Sequence, residues 1–164
     1  MINIEEQRVA LSQIGEEMLS LCQNQVQHAF EAFTTFDTDL AEEVILKENR
    51  INALDLKIER DTDRFIALYN PVATDLRFAL ALLKINYNLE RIGDQAYDIA
   101  NHTIDLNQKL APELVKKLQF HIMFETLESM FKDVVTAYTD ENLKAARKVF
   151  KKDKIINEIN TNTF

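Results

Sequence analysis

The residues best placed to do chemistry are three acids on one predicted helix face, Glu90, Asp94 and Asp98. At 100° per residue they run down a single stripe, one turn apart, with about 6 Å between neighbours. No base is interleaved, so the row repels itself. A divalent or trivalent cation would turn that repulsion into binding, because carboxylate oxygens are hard ligands. Spacing alone favours a solvated acidic face over a metal site, since E-x-x-x-D is a very common pattern. Gly93 lies on the flank of the row, where a glycine costs a helix about 1 kcal/mol. Its missing side chain would let a neighbouring helix or an ion come close.

The element that must carry these acids is the stretch Pro71 to Ala100, PVATDLRFALALLKINYNLERIGDQAYDIA. Asn70 is the predicted cap and Pro71 the first helical residue, where a missing N–H does no harm. The next proline is Pro112, so the helix can extend for about 45 Å. Leu76, Leu80, Leu83 and Tyr87 continue the acidic stripe upwards, which then ends at Asn101. Phe78, Leu82, Ile85, Leu89, Ile92, Ala96 and Ile99 form the opposite side. The pattern predicts a first half buried on two sides and a second half offering carboxylates. Antiparallel packing on the preceding helix pairs residues whose numbers sum to about 141. Lys47 then lies opposite Asp94, and a plain ion pair between them competes with a metal.

Composition points the same way. In 164 residues there are two glycines and two prolines, too few for the turns of a β or α/β fold, and 46% of residues are hydrophobic. The expected class is all-α, an elongated antiparallel helical bundle. A net charge of −8 argues against nucleic acid or anionic membrane bound by the whole surface. The single Cys22 excludes an internal disulfide and fits a reducing compartment; its neighbours at helical spacing suggest a packed thiol. Acids near the N-terminus do not suit a signal peptide, and no apolar stretch is long enough to span a membrane. The expected address is cytoplasmic.

Five helices are predicted: residues 4–34, 39–69, 71–103, 112–138 and 143–159, with the terminal NTNTF fraying. Asp39 with Glu42 resembles a capping box for the second. Leu40, Val44, Ile51, Leu54, Ile58, Phe65 and Leu68 mark its seam, which Lys47 and Asp61 interrupt. Residues 32–54 align without gaps on 137–159 at an offset of 105, with Ala32/Ala137, Thr34/Thr139, Val44/Val149, Lys47/Lys152 and Ile51/Ile156 identical. This suggests a duplicated three-helix unit, residues 1–105, followed by a partial second copy of two helices, 106–164. Helices four and five would then expose an apolar face, so a homodimer or higher homo-oligomer is expected.

Other chemistry is absent from the pattern. There is no E-x-x-H, no glycine-rich phosphate loop, no zinc motif and no nucleophile elbow, so the chain does not read as an enzyme. His28, His102 and His121 have no companions at metal spacing. Arg77, Lys84 and Arg91, seven residues apart, would pair with acids on a neighbouring helix or form a phosphate-facing edge. The fifth helix is locally basic and would be either solvated or a docking face for an acidic partner.

PVATDLR followed by LERIGDQAYDIA resembles the signature of the PhoU family, regulators of phosphate transport and phosphate signalling. The resemblance implies two three-helix repeats, each with an E/D-x-x-x-D motif on its third helix. It implies a cytoplasmic, non-enzymatic adaptor that binds iron, zinc, magnesium or manganese. It also implies that the adaptor joins a phosphate transporter's ATPase to a sensor histidine kinase. Carried over by position, the motif is Glu90 and Asp94, with Asp98 next in the row; Asp75 and Arg77 match A-x-D-L-R and would fix the helix start. A second motif is not found, so any site is expected to be single per chain or shared between chains. Two other readings stay open: a helical scaffold without metal, and a PhoU-like domain related to a sodium–phosphate cotransporter.

Overall fold

The first two long helices begin at a capping side chain, Asn3 or Asp37, and end on a left-handed residue, Phe36 or Asn70, which satisfies free backbone groups at both ends. The computed structural model describes residues 3–106 and 108–163, and among these there is helix and connecting chain but no strand. The helices are α1 (Ile4–Thr35), α2 (Thr38–Tyr69), α3 (Ala73–Asp105), α4 (Pro112–Lys117), α5 (Phe120–Thr139) and α6 (Leu143–Thr163). The first three pack pairwise into an antiparallel bundle; α5 and α6 form a hairpin whose α5 rests on α1.

The ends differ from the sequence expectation in four places. Asp37, not Asp39, caps α2, its carboxylate accepting from the Leu40 N–H at 3.0 Å. Asn70 does not cap α3. It closes α2 in the left-handed region (φ 46°), giving its N–H to Ile66 O, so that Pro71 and Val72 cross the turn and α3 starts at Ala73. Asparagine tolerates this conformation, and a proline just beyond is a helix-end signal rather than a start. The predicted fourth helix breaks at Gln119 (φ 55°) into α4 and α5, which makes six helices instead of five. The turn there leaves Val115 buried while Phe120 meets Phe33 and Phe124 stacks on Phe30 at 4.0 Å. Finally, α6 stays helical through Thr163 rather than fraying, while Phe164 lies outside the described residues.

The core of the bundle grades from large to small. Leu11, Met18, Leu19, Ile51, Ile58, Phe65, Leu82 and Leu89 fill one end. Ala29, Ala32, Ala41, Val44, Ala96 and Ala100 fill the other, which draws the helices together. The buried stripe of α3 runs Ala79, Leu82, Asn86, Leu89, Gly93, Ala96, Ala100, Thr103, the three- and four-residue steps of a helix facing one core. The two-sided burial expected of its first half does not occur: Leu80 and Tyr87 are exposed, and Leu68 of α2 with them. Nor is the apolar face of α5 bare, since Val134, Val135 and Tyr138 pack against the bundle core. Tyr138 donates its hydroxyl to Ser12 O at 3.2 Å over the gap left by Gly15.

At Gly93 α2 and α3 come into tight contact. A methyl group there would stand 2.8 Å from Ile51 Cδ1 and 3.1 Å from its Cγ2. Overpacking of this kind costs about 1–3 kcal/mol, against a helix-propensity gain of about 1 kcal/mol. Gly93→Ala is therefore expected to lower the melting temperature by a few degrees. A thermal melt that is unchanged or raised would mean that the two helices yield at this contact.

Candidate functional site

The antiparallel register predicted for α2 and α3 holds. Asn86, fully buried, donates through Nδ2 to Asp55 Oδ1 at 2.6 Å and to Asp55 O at 3.2 Å, and Glu48 lies across from Gly93. What differs is which residue of α2 turns inward. Lys47 points outward to Glu43 at 3.4 Å, and among the described residues no cation pairs with Glu90, Asp94 or Asp98. The predicted Lys47–Asp94 pair does not form. In its place the inward position belongs to Glu48, only 7% exposed.

Glu48 is the residue that sequence reasoning missed. It follows Val44 by four and precedes Ile51 by three, so it occupies the seam itself, one residue from the lysine that drew attention. Among the described residues neither of its carboxylate oxygens has a hydrogen-bond partner. Gln25, beside it, gives its amide N–H to Val44 O at 2.9 Å. Burial first, then the charges of Asp94 and Glu90, push the Glu48 carboxyl up to about 7, and Gln25 offsets only part of this.

The other acids divide by position. Glu90 is half-buried and its carboxyl is also raised, by burial, by Asp94 one turn along and by Asp55 across the interface. Asp94 is exposed but close enough to act on both Glu48 and Glu90. Asp98 is exposed a further turn along and is not among the charges that act on either. Beneath the cluster lies Cys22, fully buried, its thiol donating to Leu89 O at 3.2 Å. Burial, Glu48 and Glu90 raise this thiol to about 12, so it is a packed, unreactive group as expected.

The structure thus brings Glu48, Glu90 and Asp94 towards one another, while Asp98 stands outside. Among the described residues no group of three or more His, Cys, Asp or Glu side chains is placed closely enough to hold a metal ion as it stands. The chemistry of the set nonetheless fits a hard cation. A buried carboxylate with two free oxygens faces two more acids, with no base among them, and a cation would supply the missing counter-charge. Arg77, Lys84 and Arg91 take no part: all are exposed, none forms an ion pair among the described residues, and Arg91 stacks on Tyr87 at 5.9 Å.

The raised Glu48 carboxyl has a definite consequence for stability. Below about pH 4.5 the group is protonated in both folded and unfolded chains and carries no penalty. Between about 4.5 and 7 the folded chain holds the proton that the unfolded chain releases, so stability falls as pH rises. In chelator-treated protein, Glu48→Gln should stabilise by about 1–3 kcal/mol at pH 8 and by little at pH 4. Parallel stability profiles for the two proteins across this window would show that Glu48 is not the group responsible.

Comparison with known proteins finds similarity in both sequence and fold. The PhoU domain model matches residues 16–103 and 120–164. A phosphate-specific transport system accessory protein PhoU homolog from Aquifex aeolicus is 36% identical over 143 residues, which is 87% of this chain and 64% of that protein. PhoU homolog 1 of Thermotoga maritima is 30% identical over 159 residues, 96% of this chain and 68% of its own length. The chain thus spans about two thirds of the relatives it matches. Among solved structures, the phosphate transport system regulatory protein PhoU from Streptococcus pneumoniae superimposes with a TM-score of 0.85 at 28% identity, over 96% of this chain and 73% of that one. PhoU from Pseudomonas aeruginosa, at 22% identity, shares the fold with a TM-score of 0.90.

Proposed function

This chain belongs to the PhoU family, and from that premise we propose that it is a cytoplasmic, non-enzymatic accessory protein that regulates phosphate transport and binds a metal ion at the α2–α3 interface. The transport role rests on relatives described as phosphate-specific transport accessory proteins. No described helix is long and apolar enough to cross a membrane, so contact with the transport system would be made from outside the bilayer. Its direct partners would be the transporter's ATPase and a sensor histidine kinase, as the family resemblance implies.

The observation that carries the metal half is Glu48. Glu90 and Asp94 alone are an ordinary acidic face, but a carboxylate buried beside them without a partner is an unbalanced arrangement that a cation would balance. Glu48, Glu90 and Asp94 would hold the ion, and Asp98 would stand outside the site. The ion would neutralise the acids and tie α2 to α3. Iron, zinc, magnesium and manganese all accept carboxylate oxygen.

Elemental analysis of protein purified without chelator tests this half. Metal is expected in the parent chain, and Glu48→Gln should weaken its affinity about tenfold or more. The double variant Glu90→Ala, Asp94→Ala should lose it. Absence of metal from all three would remove the metal half and leave a helical scaffold. The transport half is tested separately by phosphate uptake in cells whose own counterpart has been deleted: complementation by the parent chain is expected, and its failure at normal expression would overturn that half.

The reading includes self-association. Leu19, Ile85, Val134, Tyr138, Val149 and Phe150 wall a groove between the bundle and the α5–α6 hairpin, and nearly all of its surface is carbon. A second copy laid along this groove would remove that surface from water. Light scattering at micromolar concentration should give at least the mass of a dimer, and a clean monomer would exclude it.

A further inference from the structure

A strongly charged surface unrelated to the acid cluster covers the outer side of α6. Lys144, Arg147, Lys148, Lys151 and Lys154 are all exposed, and none pairs with an acid among the described residues. At 100° per residue they share one sector about 120° wide and about 15 Å long. Lys152 belongs to the other side. It reaches Asp133 Oδ2 and Ser129 Oγ, each at 2.5 Å, and holds α6 on α5, where Ala145 and Ile159 are also buried. The five-cation sector therefore faces away from α5.

Two large apolar side chains stand beside or among these cations, Leu143 at 73% and Ile155 at 43% exposure. Of the acids on α6, Asp153 lies outside the sector and Glu158 closes its C-terminal end. The bias extends beyond one helix: residues 1–106 carry 19 acidic and 9 basic side chains, residues 107–164 carry 8 and 10. Negative charge is gathered on the bundle; the hairpin itself, residues 120–163, carries seven side chains of each sign, and five of its seven cations lie on this one face of α6.

We propose that the outer face of α6 docks on an anionic phospholipid surface, with its five cations against the headgroups and Leu143 and Ile155 entering the acyl boundary. A lipid surface suits this face better than a folded acidic protein does. The two apolar side chains lie about 18 Å apart along the helix. A fluid interface admits them wherever they fall, whereas a rigid partner needs two hollows at a matching distance. The net charge of −8 forbids adsorption by the whole surface, so attraction acts only when α6 leads. The face points away from the groove between bundle and hairpin, and a second copy in that groove leaves it open. The proposal does not depend on metal binding or on the transport role.

Co-sedimentation of the full chain with phosphatidylcholine vesicles, with and without phosphatidylglycerol, tests it at low and raised salt. Binding is expected only with phosphatidylglycerol, weakening as salt rises. The double variant Lys148→Glu, Lys151→Glu should lose about tenfold or more in affinity. Leu143→Ser with Ile155→Ser should lose severalfold, including at raised salt, with helicity and melting unchanged because both side chains are exposed. Lys116→Glu with Lys117→Glu on α4 makes the same change of charge elsewhere and should bind like the parent. No sedimentation with phosphatidylglycerol at low salt, or equal losses in the α4 control, would overturn the proposal. So would binding to soluble polyglutamate as tight as to vesicles and indifferent to the serine variant, which would assign the face to an acidic protein.

Discussion

A three-helix bundle has room for a carboxylate in its interior only where a neighbouring helix withdraws its own side chain, and Gly93 is that place. Because α3 has no Cβ there, Ile51 can press against its backbone and Glu48 Oε2 can lie 3.5 Å from where a methyl group would be. That contact fixes how close α2 and α3 come, and the Asn86–Asp55 hydrogen bonds, two turns away, fix their register. Everything of functional interest in the bundle follows from the pair. The acids of α3 meet a buried acid of α2, the repulsion is left unrelieved by protein, and the thiol of Cys22 is sealed beneath.

Much of this was legible in the residues. Scarcity of glycine and proline gave the all-helical class, and the α2–α3 register followed from the turn near Asn70. The α6 start at Leu143 lies 105 residues after the start of α2, the offset found in the sequence. The misses share a physical cause: a residue's role depended on a phase or an end that only packing sets. Lys47 and Glu48 are neighbours, and a shift of 100° decides which of them is buried. Asn70 before a proline serves the end of one helix as well as it would the start of the next, and the carbonyls of α2 claimed it. No local signal marked the break at Gln119, because it answers to Phe30 and Phe33 of α1, about ninety residues earlier in the chain.

The molecule also separates its tasks by charge and by side chain size. The alanine-rich end of the bundle draws the helices together near Ala96 and Ala100, immediately beyond the acid cluster on α3. The hairpin is attached differently, through aromatic rings of α1 and α5 and through Tyr138 seated over Gly15. Arg8 adds a polar tie at the far end, reaching Asp75 of α3 at 3.8 Å and Glu141 of the α5–α6 turn at 3.2 Å. Exposed ion pairs of this kind contribute little individually. The aromatic contacts and the tyrosine therefore set the position of α6 relative to the bundle.

The sealed position of Cys22 has a use of its own. With its thiol held up near 12 and no exposed surface, it reacts only when α1, α2 and α3 part. As the chain's single cysteine it is a built-in clock. The rate at which a thiol reagent modifies it counts the openings of the bundle directly beneath the acid cluster. Whatever rests on those acids and locks α2 to α3 slows that clock without touching the sulfur.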